Sequence, residues 1–186
     1  AAVYILAALI VVIVNIKYIG GVFAWIFKGA FSAEAAIGGA YGILFKTIVK
    51  RGIARGVFSN EAGLGSAPIA HAATSETNPV RQALYGIFEV FMDTIVICTL
   101  TSLVVLLGVK NGAITPAWGE SGGAELVATS MGNTLGAKVG PTILALGLTL
   151  FAFSTILSWS LYGVRCFEFL FGNKLSKAYK WVFVFV

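Results

Sequence analysis

The sequence predicts an all-α integral membrane protein. Two observations carry that expectation, and a third points to function. First, 58% of the 186 residues are hydrophobic and only 11% are charged. Soluble domains carry about 25% charged residues, so this chain cannot coat a water-facing surface. Second, long apolar runs recur that are close to the roughly 20 residues needed to cross a bilayer as a helix. Third, one apolar region is interrupted by a cluster of glycine, proline and polar residues that a continuous helix would not tolerate.

The elements follow in order. Residues 1–16 form an apolar run already under way at Ala1, without the charged start and small-residue cleavage site of a signal peptide. The chain therefore reads as an internal fragment of a longer membrane protein, a single transmembrane unit over residues 1–186 with no separate soluble domain. Residues 18–31 are apolar apart from Lys28, and residues 35–45 are apolar and Gly-rich. A basic stretch follows with Lys46, Lys50, Arg51 and Arg55. Residues 57–73 are uncharged except for Glu61, residues 82–109 are interrupted only by Glu89 and Asp93, and residues 139–164 carry no charge. Of the connections, 74–81 reads as a polar turn in which Pro79 biases Asn78 away from helix and suits a first helical turn. The 110–136 connection is Gly-rich and should hold a short helix around Ala124–Met131.

The basic residues number 13 against eight acidic ones, a net charge of +5. They punctuate apolar runs instead of gathering on one face, which argues against a nucleic-acid partner and for the lipid bilayer. If the spans alternate, Lys17, Arg81, Arg165, Lys174, Lys177 and Lys180 share one side, with Lys110 and Lys138 on the other. That places the 74–81 turn in the cytoplasm, although the 46–55 cluster then opposes the count. Cys98 and Cys166 read as small buried hydrophobes, not a disulfide or metal pair. The chain shows no nucleophile–base pair and a single histidine, His71, so an enzyme is not expected.

The informative stretch is Gly56-Val-Phe-Ser-Asn-Glu-Ala-Gly-Leu-Gly-Ser-Ala-Pro-Ile-Ala-His71. Glycine costs about 1 kcal/mol in a helix interior and proline about 3 kcal/mol, so Gly63, Gly65 and Pro68 together oppose a continuous helix. Unwound backbone at membrane depth is tolerated where it lines a cavity, and broken helices of this kind form substrate and ion sites in secondary transporters. The alternative is a helix-packing face of small residues. That accounts for Ala62, Gly63 and Gly65 but not for Asn60 and Glu61 beside them. On the last span, Ser154, Thr155, Ser158 and Ser160 are either ligands or hydroxyls bonded to their own backbone. Asp93 and Glu89, spaced i, i+4, share a face inside a span. Asp93 is the stronger candidate for a role in gating or ion coupling.

Three strings carry a family resemblance: Phe-Ser-Asn-Glu-Ala-Gly-Leu-Gly-Ser-Ala-Pro at 58–68, Asn-Pro-Val-Arg-Gln at 78–82, and Phe-Met-Asp-Thr-Ile-Val-Ile-Cys-Thr at 91–99. With Phe-Ser-Thr-Ile-Leu-Ser-Trp-Ser-Leu-Tyr-Gly at 153–163, the chain resembles the alanine or glycine:cation symporter family of the amino acid–polyamine–cation superfamily. The resemblance implies a leucine-transporter-type fold of two inverted five-helix repeats. This chain would run from about the fourth helix to the start of the ninth, with 57–73 as the discontinuous sixth. It implies sodium-coupled symport of alanine or glycine by alternating access, with sodium co-transported and no organic cofactor. A related permease or channel without strict sodium coupling is the alternative. The implied location is a prokaryotic inner (plasma) membrane. The implied substrate contacts are backbone carbonyls at Phe58, Ser59 and Glu61, the Phe58 ring, and the glycines Gly63 and Gly65 of the break. Ser154, Thr155 and the carbonyl of Phe151 would ligate sodium. Trp159, four residues beyond Thr155, would cap the substrate side chain.

Overall fold

A computed structural model describes residues 2–31, 49–50, 52–54, 56–57, 59–61, 64–115 and 122–185. Every regular element among them is helical: α1 (Ala2–Val14), α2 (Ile16–Ala30), α3 (Ala67–Ala72), α4 (Pro79–Phe91), a π-helical turn (Met92–Ile97), α5 (Cys98–Lys110), α6 (Gly123–Leu135), α7 (Val139–Phe171) and α8 (Asn173–Phe185). Two continuous helices, Pro79–Lys110 and Val139–Phe171, are long and apolar enough to cross a membrane. Helices α1 and α2 make a third apolar stretch, bent by 93° at their junction.

Of the expected spans, 57–73 lies partly outside the described residues, whereas the two clearest, 82–109 and 139–164, are present and extend beyond those bounds. The last passes Val164 through Arg165 and Glu168, which pair at 3.2 Å one turn apart, and stops at Gly172 with a φ of +77°. Only glycine adopts that conformation at little cost, which is why helices so often end on it. The 78–82 turn is built as its sequence implies. Asn78 is extended, its side chain accepts from the Val80 and Arg81 amides, and Pro79 opens α4. The short helix expected near 124–131 is α6.

The core lies where α1, α5, α6 and the start of α7 meet, and it buries Tyr4, Ala7, Ala8, Val11, Val104, Val127, Met131 and Leu144. Small residues allow close approach there. A side chain on Gly140 would strike the Met131 backbone, and one on Gly108 would strike Ser130. Polar groups in this region find partners. Asn15 donates to the Val11 carbonyl at 2.9 Å and to Thr134 at 3.1 Å and accepts from Asn111 at 3.0 Å, while Ser130 donates to the Val104 carbonyl at 2.5 Å.

These contacts correct the expected sidedness of Lys17. Tyr4 bonds Thr101 at 2.6 Å near one end of the α1–α5 pair, and Asn15 meets Asn111 near the other. The two helices therefore run in the same direction, and Lys17 lies at the Lys110 end, not with Arg81. The parity count fails because the chain turns sharply at Asn15, whose amide bonds back to the Val11 carbonyl in competition with the helix.

Candidate functional site

The expected break is present. Residues 59–60 are helical, the chain leaves the helix at Glu61, and α3 begins at Ala67 with Pro68 in its first turn. Gly65 has a φ of +79°, and Glu61, which carries a Cβ, has a φ of +55°. A positive φ is costly for a residue other than glycine, so Glu61 must be held. Its carbonyl accepts from the Leu64 amide at 3.1 Å, and its carboxylate accepts from the Ser66 hydroxyl at 2.7 Å. The Tyr162 hydroxyl of α7 also interacts with that carboxylate. Glu61 thus closes the break into a turn and ties it to α7.

Consecutive residues fix the helical piece before the break to the π-helical turn. The Ser59 hydroxyl donates to Asp93 Oδ2 at 2.5 Å, and Asn60 Nδ2 donates to Thr94 Oγ1 at 3.0 Å. A π turn widens the helix and recurs at functional sites. Here it lies directly opposite the break. The Cys98 thiol, at the first residue of α5, is beside Ser59 and Asp93. Cys98 and Cys166 are both exposed, so they are not the buried hydrophobes the sequence suggests.

On α7 the three expected sodium oxygens form one group. Ser154 Oγ and Thr155 Oγ1 each donate to the Phe151 carbonyl at 2.9 Å, and Ser158 Oγ donates to the Ser154 carbonyl at 3.2 Å. The hydroxyl-to-own-backbone pattern anticipated as the alternative is thus what this structure displays. It also gathers three hard oxygens, the donor type that suits an alkali cation.

Break, π turn and α7 face a single open cleft of about 1370 Å³. Ser59, Glu61, Gly65, Asp93, Phe151, Ser154 and Thr155 all line it, as do Asn60, Ser158 and Tyr162. Trp159 is not among the lining residues. It is 48% exposed, and its ring centroid is 6.4 Å from that of Tyr162, which does line the cleft. Phe58 and Gly63 lie outside the described residues, as do Lys46, Arg51 and Arg55 of the basic cluster.

The remaining ionisable residues sort themselves locally. Arg81 pairs with Glu76 at 3.4 Å instead of reaching Asp93 or Glu89. His71 on α3 bonds Gln82 of α4 at 2.7 Å, and its Nε2 is 3.6 Å from Glu89. Gly86 makes room for the ring, since a Cβ there would lie 3.3 Å from His71 Nε2. Asn60 and Ser66 stood out in the sequence as part of the polar break, whereas Thr94 and Tyr162 were given no role. Tyr162 had a usable signal, because a residue seven beyond Thr155 returns to about the same helical face. Thr94 had none, since it faces Asn60 only through a π turn.

Fold and cleft together define a class: a helical integral membrane protein whose broken helix and oxygen-rich span share one cavity. Residues 1–186 match the model of the sodium:alanine symporter family. The chain belongs to that family. It is 45% identical to the sodium/alanine symporter AgcS of Methanococcus maripaludis over 187 residues, covering 100% of this chain and 39% of that protein. An uncharacterized transporter of Haemophilus influenzae is 40% identical over 186 residues, 99% of this chain and 39% of its own length. The amino-acid carrier protein AlsT of Bacillus subtilis is 38% identical over 174 residues, 94% of this chain and 35% of its own. The chain thus spans less than two-fifths of the length of these relatives.

Proposed function

We propose that the protein carrying this chain couples the inward movement of sodium to uptake of a small neutral amino acid, alanine or glycine, by alternating access. The observation that carries the reading is the shared cleft, in which Ser59, Asn60, Glu61 and Gly65 at the break confront the Phe151–Ser154–Thr155 oxygen group. Sodium, as co-substrate, would draw the lone pairs of those three oxygens: the two hydroxyls keep theirs while donating, and at the Phe151 carbonyl sodium would compete with the hydroxyl hydrogens. The substrate ammonium would take carbonyls of the break, Phe58, Ser59 and Glu61, close to the Asp93 carboxylate. The glycines Gly63 and Gly65 allow the backbone approach, and Trp159 would close over the side chain only after α7 turns or a neighbouring segment moves. Asp93, bonded to Ser59, is the coupling group in this scheme.

Mechanistically the two ligands help each other by linkage: whatever factor sodium adds to alanine affinity, alanine adds to sodium affinity. The fold that accommodates this is the leucine-transporter type, with the remaining contacts supplied by segments beyond this chain. We place the Arg81 end in the cytoplasm of a prokaryotic plasma membrane, with Arg165, Lys177 and Lys180 on that side. The deciding experiment is uptake of labelled alanine, glycine and leucine by the full-length protein in proteoliposomes, with and without a sodium gradient. Uphill alanine or glycine uptake that needs sodium supports the reading. Uptake indifferent to sodium, or flux without saturation, would replace it with a permease or a channel.

A further inference from the structure

Helix α2 has no part in the cleft, and its three faces differ sharply. It turns 93° away from α1 exactly where that apolar helix ends, so it lies across the bundle instead of along it. One face packs on the end of α5. Val22 is fully buried, and Trp25 sits under the Lys110 ammonium at 4.0 Å. A second face is large, apolar and uncovered, with Phe23, Ile26 and Phe27 all exposed. The third face is basic. Lys17 and Lys28 are eleven residues apart, which at about 100° per residue places them about 20° from each other around the helix. Gly21 lies between them on that face, and a Cβ there would be 2.9 Å from Lys110 Cε and 3.5 Å from its ammonium. Three lysines therefore line one edge. Helix α2 contains no acidic residue, and no ion pair to Lys17, Lys28 or Lys110 is found among the described residues.

We infer that α2 is an interfacial helix that binds anionic phospholipid, with Lys17, Lys110 and Lys28 gripping the headgroup phosphates while Phe23, Ile26 and Phe27 enter the acyl region. Three observations select a lipid occupant. The helix sits at the terminus of a membrane-spanning segment and runs across it. It combines a basic edge with an uncovered apolar face, the arrangement of helices that lie in the headgroup layer. Its aromatics stand beside the lysines, with Lys17 over the Tyr18 ring at 4.9 Å and Lys110 over Trp25, which suits the boundary between headgroups and chains. Gly21 has a specific part: any side chain would displace Lys110 from the edge.

The test uses the full-length protein in nanodiscs with a bimane fluorophore on Phe27→Cys, in a background lacking other reactive cysteines. Quenching is compared between acyl-chain spin-labelled phosphatidylglycerol and phosphatidylcholine at equal mole fraction. Both lipids should quench, and phosphatidylglycerol should quench more, with each lysine contributing about fivefold to its local enrichment. The double variant K17Q/K28Q should cut the preference for phosphatidylglycerol by about 25-fold, to the roughly fivefold share of Lys110, while leaving phosphatidylcholine quenching intact, which also shows that the variant is folded and α2 still inserted. Absence of quenching by either lipid, a ratio near one in the parent, or a ratio unchanged in the double variant would each overturn the inference. No arm depends on sodium or alanine, so the outcome is independent of the transport reading.

Discussion

The packed end of the molecule and the cleft are built from the same helices by opposite means. Where α1, α5, α6 and the start of α7 meet, apolar side chains are buried and polar side chains such as Asn15 and Ser130 are bonded inward. Around the cleft, α3, α4 and the π turn bury no residue, and polar groups of distant segments bond one another across an open space. The first arrangement has one geometry, because close-packed interiors resist displacement. The second is held by few, directional bonds between elements, which is what a wall that must move requires. The contrast teaches that a single continuous helix, Pro79–Lys110, serves as fixed core at one end and as site at the other, with the π turn at the border.

Gly140→Val attacks the packed end and should have the largest effect. The new side chain would collide with the Met131 and Gly132 backbone, costing more than about 4 kcal/mol. Folded, monodisperse protein should be lost on size-exclusion chromatography. The matching change at the cleft, Gly65→Ala, meets nothing within 4 Å and suffers only from its φ of +79°. Its cost should be about 1–2 kcal/mol, and folded protein should persist. Equal losses would erase the proposed difference between the regions.

Asp93→Asn sharpens the comparison from the other side. It removes the charged acceptor of the Ser59 hydroxyl, an interaction worth about 1.5–3 kcal/mol. Alanine uptake per folded molecule should fall by about tenfold to a hundredfold, while the melting temperature falls by only a few degrees. A drop in melting temperature with unchanged uptake per folded molecule would make Asp93 a structural residue. Thr155→Val keeps shape and deletes one oxygen, so the sodium concentration for half-maximal uptake should rise by roughly tenfold, corresponding to about 1.4 kcal/mol. An unchanged sodium dependence would leave Thr155 with only its bond to the Phe151 carbonyl. The smallest effect is expected from Asn78→Ala, which removes the cap of α4. Stability should fall by about 1 kcal/mol, a few degrees in thermal unfolding, with sodium dependence unaltered.

Much of this was legible in the residues, unevenly. Spans are set by runs of apolar residues, and the break by Gly63, Gly65 and Pro68, whose backbone preferences are local. Pro79 marked the start of α4 by its backbone preference, whereas the oxygen group at 151, 154 and 155 was implied by the family resemblance and not by spacing, which left own-backbone bonding as the alternative. The strained φ of Glu61 was not legible, because a residue with a Cβ enters that region only when distant groups such as Ser66 and Tyr162 hold it. The side on which Lys17 lies was misread, since counting crossings assumes straight spans and the 93° bend at Asn15 removes that assumption.

By itself, then, the sequence determined the membrane class, the positions of the long helices and the place where one of them breaks, because hydropathy and backbone propensity act over a few neighbouring residues. Only the tertiary structure decided that Ser59 meets Asp93, that Asn60 meets Thr94, that Trp159 stands outside the cleft, and that α2 turns across the bundle with Gly21 and Trp25 against Lys110. Those outcomes depend on helix directions and on a π turn, and such features arise from packing between segments tens of residues apart.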